Sequence, residues 1–400
     1  MYPVPEVEGG AAYSTGGITK LYALSGIDGL WPKHAPLASL QCYLCVYRGI
    51  RLQRRRAGEH RKSMAQYSVL DLCSVREGSD AAESFRNSLD LARHAERWGY
   101  TRFWLAEHHN MDGIASSATS VLVGYIAGGT DTIRVGSGGV MLPNHAALIV
   151  AEHYGTLATL YPGRIDLGVG RAPGSDRVTA NALGRSLDRE EDFPQQVREL
   201  LGYLGPERPG QTVRAIPGQG TNVPVWLLGS STYSAQLAAA MGLPFAFAAH
   251  FAPQDMVEAL LLYRRSFQPS KFLAEPWSAV GIPLVAADTD EKARRIATSL
   301  YLRFLRMIRG QRLVTPPPVD SMDGLWTPQE RAAVEMRLGA AIVGAPETVE
   351  AKLARLLRDV EVDEVIFVSD LFFHPDRLRS YEIAMEAMKR VGEVRAPHAF

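Results

Sequence analysis

Four short stretches carry residues able to do chemistry, and each follows an apolar run. Glu107-His108-His109-Asn110 is the first. A carboxylate with two imidazoles can move protons or hold a metal. Adjacent residues of an extended strand point to opposite faces, so His108 and His109 do not easily share one ion. No His-x-His and no convergent acid cluster accompanies them, so no metal is expected. Glu107 reads equally as a structural carboxylate. Gly136, Gly138 and Gly139 end the next apolar run, and Gly168 and Gly170 the one after, followed by Arg171. A glycine inside a strand packs nothing and serves backbone geometry or the close approach of something else. Two tight strand-to-helix turns would account for the clusters; so would a flat, bulky ligand lying on the backbone. The last stretch is Gly229-Ser230-Ser231-Thr232, opening a helix. It reads either as a plain N-cap or as an anion site built from free N–H groups and hydroxyls. Arg171 on the neighbouring strand end favours the anion, because a guanidinium matches phosphate geometry. Together they suggest a flat ligand bearing a phosphate, such as flavin mononucleotide (FMN).

The elements that must position these residues alternate strictly from residue 64 onward. Strands are predicted at 67–72, 101–106, 133–139, 165–171, 223–228, 244–249, 279–286 and 364–369, each followed by a helical period. Strand–helix alternation implies a parallel sheet. Eight units predict an α/β fold of the (β/α)8 TIM barrel type, with insertions after strands 4 and 7. The second insertion, with Pro316-Pro-Pro318 and Trp326, is the lid candidate. An open doubly wound sheet is the alternative. Its glycine fingerprint is incomplete, since Gly168-Val-Gly-Arg-Ala-Pro173 lacks the third glycine. In a barrel the strand ends meet at one mouth, which brings Asn144 and His250 to the same place. Residues 64–400 read as one barrel domain. Residues 1–63 hold glycine pairs and a basic run without periodicity, and are expected to be a disordered extension. Cys42 and Cys45 form a CxxC without a second pair, which reads as chance spacing.

Lys+Arg and Asp+Glu balance at 43 each, which removes any global argument for nucleic acid or an acidic membrane surface. Three cysteines in 400 residues form no disulfide framework. With no secretory pattern and no apolar run long enough to span a bilayer, a cytoplasmic protein is expected.

Three ordered segments carry a resemblance. Phe103-Trp-Leu-Ala-Glu-His-His109, Arg134-Val-Gly-Ser-Gly-Gly-Val-Met-Leu-Pro143 and Gly163-Arg-Ile-Asp-Leu-Gly-Val-Gly-Arg171 resemble the bacterial luciferase-like flavin-dependent monooxygenases. The likeness runs over 67–388 and is strongest to non-luminescent members. It implies reduced FMN as a diffusible co-substrate. Oxygen would add to it as a C4a-peroxyflavin that oxidises a small organic substrate. It implies His108 as the catalytic histidine and Arg171, Gly229, Ser230 and Ser231 as the phosphate site. Gly138 and Gly139 would support the ring, at a position where many members carry a cis peptide. Gly170 stands where luminescent members carry a reactive cysteine, so the luminescent alkanal reaction is not implied. The expected partners are a flavin reductase that supplies reduced flavin and a second copy of the chain. Two readings compete: a deazaflavin-dependent hydride-transfer enzyme of the same fold, and a flavin-binding protein without turnover. If Gly138 and Gly139 exist to meet a ring, Gly139→Val should harm ligand binding more than folding.

Overall fold

The computed structural model of the chain describes residues 65–172, 177–184 and 193–395. The expected extension at 1–63 and the Cys42–Cys45 pair fall outside the described residues. The elements are β1 (Gln66–Asp71), α1 (Ala81–Trp98), β2 (Arg102–Leu105), α2 (Thr119–Gly128), β3 (Arg134–Met141), α3 (Ala147–Leu160) and β4 (Ile165–Gly170). Then come α4 (Arg177–Ala182), α5 (Phe193–Leu204), β5 (Val225–Gly229), α6 (Thr232–Met241), β6 (Phe245–Phe247), α7 (Met256–Ser266) and β7 (Ser278–Ala286). The chain ends with α8 (Asp290–Ile308), α9 (Pro328–Arg337), β8 (Ile342–Gly344), α10 (Pro346–Asp359), β9 (Glu364–Val368) and α11 (His374–Arg395).

All pairings between these strands are parallel. They run β1 to β7 in sequence order, then from β7 to β9 and from β9 back to β1. Eight strands thus close the predicted barrel. β8 is the addition that sequence reading missed; it pairs only with the far end of β7, Leu284 to Ala286. Three residues are too few for a period to show. The insertions fall after β4 (α4 and α5) and after β7 (α8, α9 and β8), as expected. No helix among the described residues is long and apolar enough to cross a membrane.

Local chemistry sets the element ends. Asp80 caps α1 by accepting from the Glu83 N–H at 2.8 Å, and the helix stops at Gly99 with φ 94. The face between them, Leu91, Ala92 and Ala95, is buried against the barrel.

The barrel interior is layered. At the strand N-termini the buried Arg102 binds Glu364 at 2.9 Å and Asp166 at 2.8 Å. Ser68 bonds the same glutamate and Arg134 the same aspartate. Burial pushes the Glu364 carboxyl up, and Arg102 offsets only part of that. Burial would discharge Arg102 as well, but the two carboxylates outweigh it. Leu70, Trp104, Trp226 and Ile366 lie above this floor, with the two indoles edge to face at 5.1 Å. The mouth opens beyond them.

The second insertion roofs part of that mouth. Arg312 pairs with Asp112 at 2.6 Å and Arg306 with Glu77 at 2.6 Å, while the Thr315 N–H donates to the Val75 carbonyl at 2.9 Å. These contacts tie the last turn of α8 and the segment after it to the loops following β1 and β2. That agrees with the expected lid position.

Candidate active site

The mouth has a phosphate-like corner and a histidine side. The corner lies where β4 and β5 end. Ser231 is the N-cap of α6, with extended backbone (φ −148, ψ 164), yet its hydroxyl makes no capping bond. The plain N-cap account of Gly229-Ser-Ser-Thr therefore lacks its hydrogen bond. The first N–H groups of α6 have no intrahelical partners, and Ser230 and Ser231 are half-buried beside them. A Cβ at Gly229 would lie 2.1 Å from Ser234 Oγ, so the glycine lets the helix start hard against the strand end. Arg171, one residue beyond β4, stacks on the Tyr233 ring at 4.3 Å in the first turn of the same helix. Among the described residues no carboxylate pairs with Arg171. Helix dipole, hydroxyls and guanidinium all favour an anion here.

The β3–β4 glycines divide into two kinds. The Gly138–Gly139 peptide is cis, and the β3–β4 register shifts between Ser137 and Val140. A Cβ at Gly139 would meet the Gly168 carbonyl oxygen at 2.7 Å, and one at Gly138 the Leu70 side chain at 2.7 Å. Neither points into open space. Packing against β4 and the barrel interior accounts for both, while their backbone still lines the end of β3. This corrects the sequence expectation for Gly139→Val. The valine must displace main chain, which cannot swing aside as a side chain can. We expect it to lower stability by about 1–3 kcal/mol, the usual cost of overpacking. Thermal melting checks this; a stable variant that has lost only ligand binding would restore the first account. Gly170 is the other kind. Its nearest atom to an added Cβ is the Leu228 carbonyl oxygen at 3.9 Å, so neither conformation nor packing explains it. It leaves space beside Arg171.

On the histidine side Glu107 is buried. Its Oε1 accepts from His109 Nε2 at 2.9 Å and from His145 Nε2 at 2.8 Å. Burial opposes its ionisation, but the two imidazole donors prevail and hold the carboxyl below its usual range. With the carboxylate charged, both Nε2 atoms carry hydrogen. The ligand atoms of these three residues lie within 4.8 Å of one another. The sequence reading that nothing converges here missed His145, which reaches Glu107 only because β2 and β3 are neighbours. The hydrogen bonds account for the cluster. His109 and Glu107 meet two residues apart, just beyond the end of β2, and His108 between them takes no part in that bond. It is half-buried, and its charge is felt at His250, beyond the end of β6.

A profile of the luciferase-like monooxygenases matches residues 65–364. The chain belongs to that family. Among luciferase-like monooxygenases, one from Escherichia coli K12 is 51% identical over 326 residues, 81% of this chain and 97% of that one. The Bacillus subtilis protein YvbT, of uncharacterised function, is 57% identical over 80% of this chain and 96% of its own length. The N-acetyl-S-alkylcysteine monooxygenase of B. subtilis is 32% identical over 81% and 98%. Apo-MsnO8 superposes with a TM-score of 0.73 at 34% identity, covering 81% of this chain and 98% of its own. More distant barrels share the fold alone. They include 3,6-diketocamphane monooxygenase of Pseudomonas putida with FMN (17%, TM-score 0.61) and an F420-dependent secondary alcohol dehydrogenase (14%, TM-score 0.60). Family membership makes this luciferase-like chain an oxidoreductase.

Proposed function

We propose that this enzyme uses reduced FMN and molecular oxygen to oxidise a small organic substrate. The observation that carries the reading is the phosphate corner, where an uncapped helix N-terminus lies beside a guanidinium that pairs with no carboxylate among the described residues. These residues fit a phosphate-bearing ligand. Arg171 and the Ser230 and Ser231 hydroxyls would hold the phosphate, and the open space at Gly170 would admit the flat part of the molecule. When bound, the flavin supplies the electrons and the site of oxygen activation; the chain supplies orientation and exclusion of water. His108 would hold or deliver a proton at the reacting end. Glu107 fixes His109 and His145 beside it. Exposed Val121 and Tyr125 on α2, with Ile149 and Leu160 on α3, support a second copy of the chain as partner.

Arg171→Ala is the direct test. It should weaken FMN binding by about 1.5–3 kcal/mol, the worth of a charge-assisted contact, and leave riboflavin nearly unchanged because riboflavin has no phosphate. Fluorescence titration of both ligands measures it, and equal weakening would place Arg171 outside the site. Oxygen uptake driven by reduced FMN separates a monooxygenase from its competitors. Hydride transfer from a reduced deazaflavin without oxygen uptake would overturn the reading.

A further inference from the structure

The mouth holds a second cation that the phosphate corner does not use. Arg337 ends α9, in the roofing insertion. Its guanidinium lies 5.9 Å from the Phe251 ring centroid and 5.5 Å from that of Phe304. Its Nε is shut off from solvent with no hydrogen-bond partner, and among the described residues Arg337 forms no ion pair.

Two ordinary accounts fall short. A basic residue at a helix C-terminus can answer the last carbonyls. Here the Leu338 N–H serves the Val334 and Met336 carbonyls, and the Arg337 side chain bonds none. A purely structural cation–π contact uses the attraction of a ring face for charge. A phenyl ring is a poor acceptor, so the buried Nε–H remains to be satisfied. An orphaned charged donor away from water costs free energy until something accepts from it.

The surroundings say what that acceptor is attached to. His250 stacks on Phe251 at 4.3 Å. Burial pulls its pKa down to about 4, so it is neutral at physiological pH, and the charges of both Arg337 and His108 reach it. Asp370, which also acts on His250, is already engaged by Arg303 at 2.9 Å and Ser74 at 2.7 Å. This wall is therefore aromatic, and with Asp370 engaged by Arg303 no acid among the described residues answers the Arg337 guanidinium. An apolar body fits against Phe251 and Phe304, with its acid group on the fork.

We propose that Arg337 is a specificity-determining residue and that the substrate is a small organic carboxylic acid whose carboxylate pairs with it. The inference rests on the proposed function for its reacting end, at His108, but its test does not depend on flavin. Calorimetric titration of the full chain, with and without FMN, compares 3-phenylpropanoate with its uncharged amide. The acid should bind about tenfold tighter or more, as a charge-assisted contact implies. Arg337→Met should erase that preference and Arg337→Lys should keep part of it, with both variants melting like the wild type. Equal binding of acid and amide by the wild type, or an undiminished preference in a folded Arg337→Met variant, overturns the proposal. Selective loss of FMN over riboflavin in Arg337→Met would also overturn it, by giving the arginine to the cofactor phosphate. Failure of FMN to bind at all would remove the flavin reading, while the acid preference of the flavin-free protein would still decide on Arg337.

Discussion

His108→Ala is expected to leave FMN binding within a few-fold and to cut turnover by about 10²–10⁴, the usual worth of a positioned acid or base. The residue lies beyond β2 and is not one of the donors to Glu107. The Glu107 bonds to His109 and His145 do not involve it, so they remain in the variant. Oxygen consumption without substrate oxidation should persist, read as hydrogen peroxide release. His109→Ala should behave differently. It takes one of the two donors from a buried carboxylate, so part of its effect should appear as lost stability. Stopped-flow absorbance of the reduced-flavin complex mixed with oxygen, beside steady-state rates, measures both variants. Wild-type turnover in His108→Ala would remove the residue from the chemistry.

Arg102→Met should cost about 3–5 kcal/mol of stability at neutral pH, the range for breaking a buried ion pair from one side. Glu364 loses its strongest partner, whereas Asp166 keeps Arg134. The pH dependence has a definite sign. Burial holds the folded pKa of Glu364 above its usual value, and loss of Arg102 raises it further. A carboxyl raised in this way penalises the fold at pH values above its unfolded pKa, and the penalty shrinks as pH falls toward about 4.3. Urea unfolding at pH 7 and pH 5.5 should therefore show the smaller deficit at the lower pH. A deficit below about 1 kcal/mol would mean the floor is not held by this pair.

The barrel was legible because a parallel strand buried on both faces reads as a continuous apolar run between helical periods. β8 was not, since its three residues follow a helix and pair only with an overhanging end of β7. The phosphate corner was legible in its residue types and in the neighbouring strand ends, but the stack of Arg171 on Tyr233 was not, because side-chain direction at a strand end does not follow from sequence order. Glycine identity was visible at 138, 139 and 170 alike. Only the coordinates separate the pair that must avoid β4 and the barrel interior from the one that leaves room. His145 and Arg337 looked like ordinary loop and helix-end residues. Their meaning depends on Glu107 in one case, and in the other on the lack, among the described residues, of an acid paired with the charge.

The ionic layer beneath Trp104 and Trp226 has a kinetic consequence. Asp166 and Glu364 are fully buried, so the barrel is a cup with one rim and no drain. Whatever is seated deepest must arrive first and depart last. Traffic through the rim is a queue, and the chain sets its order by depth, before affinity has any say.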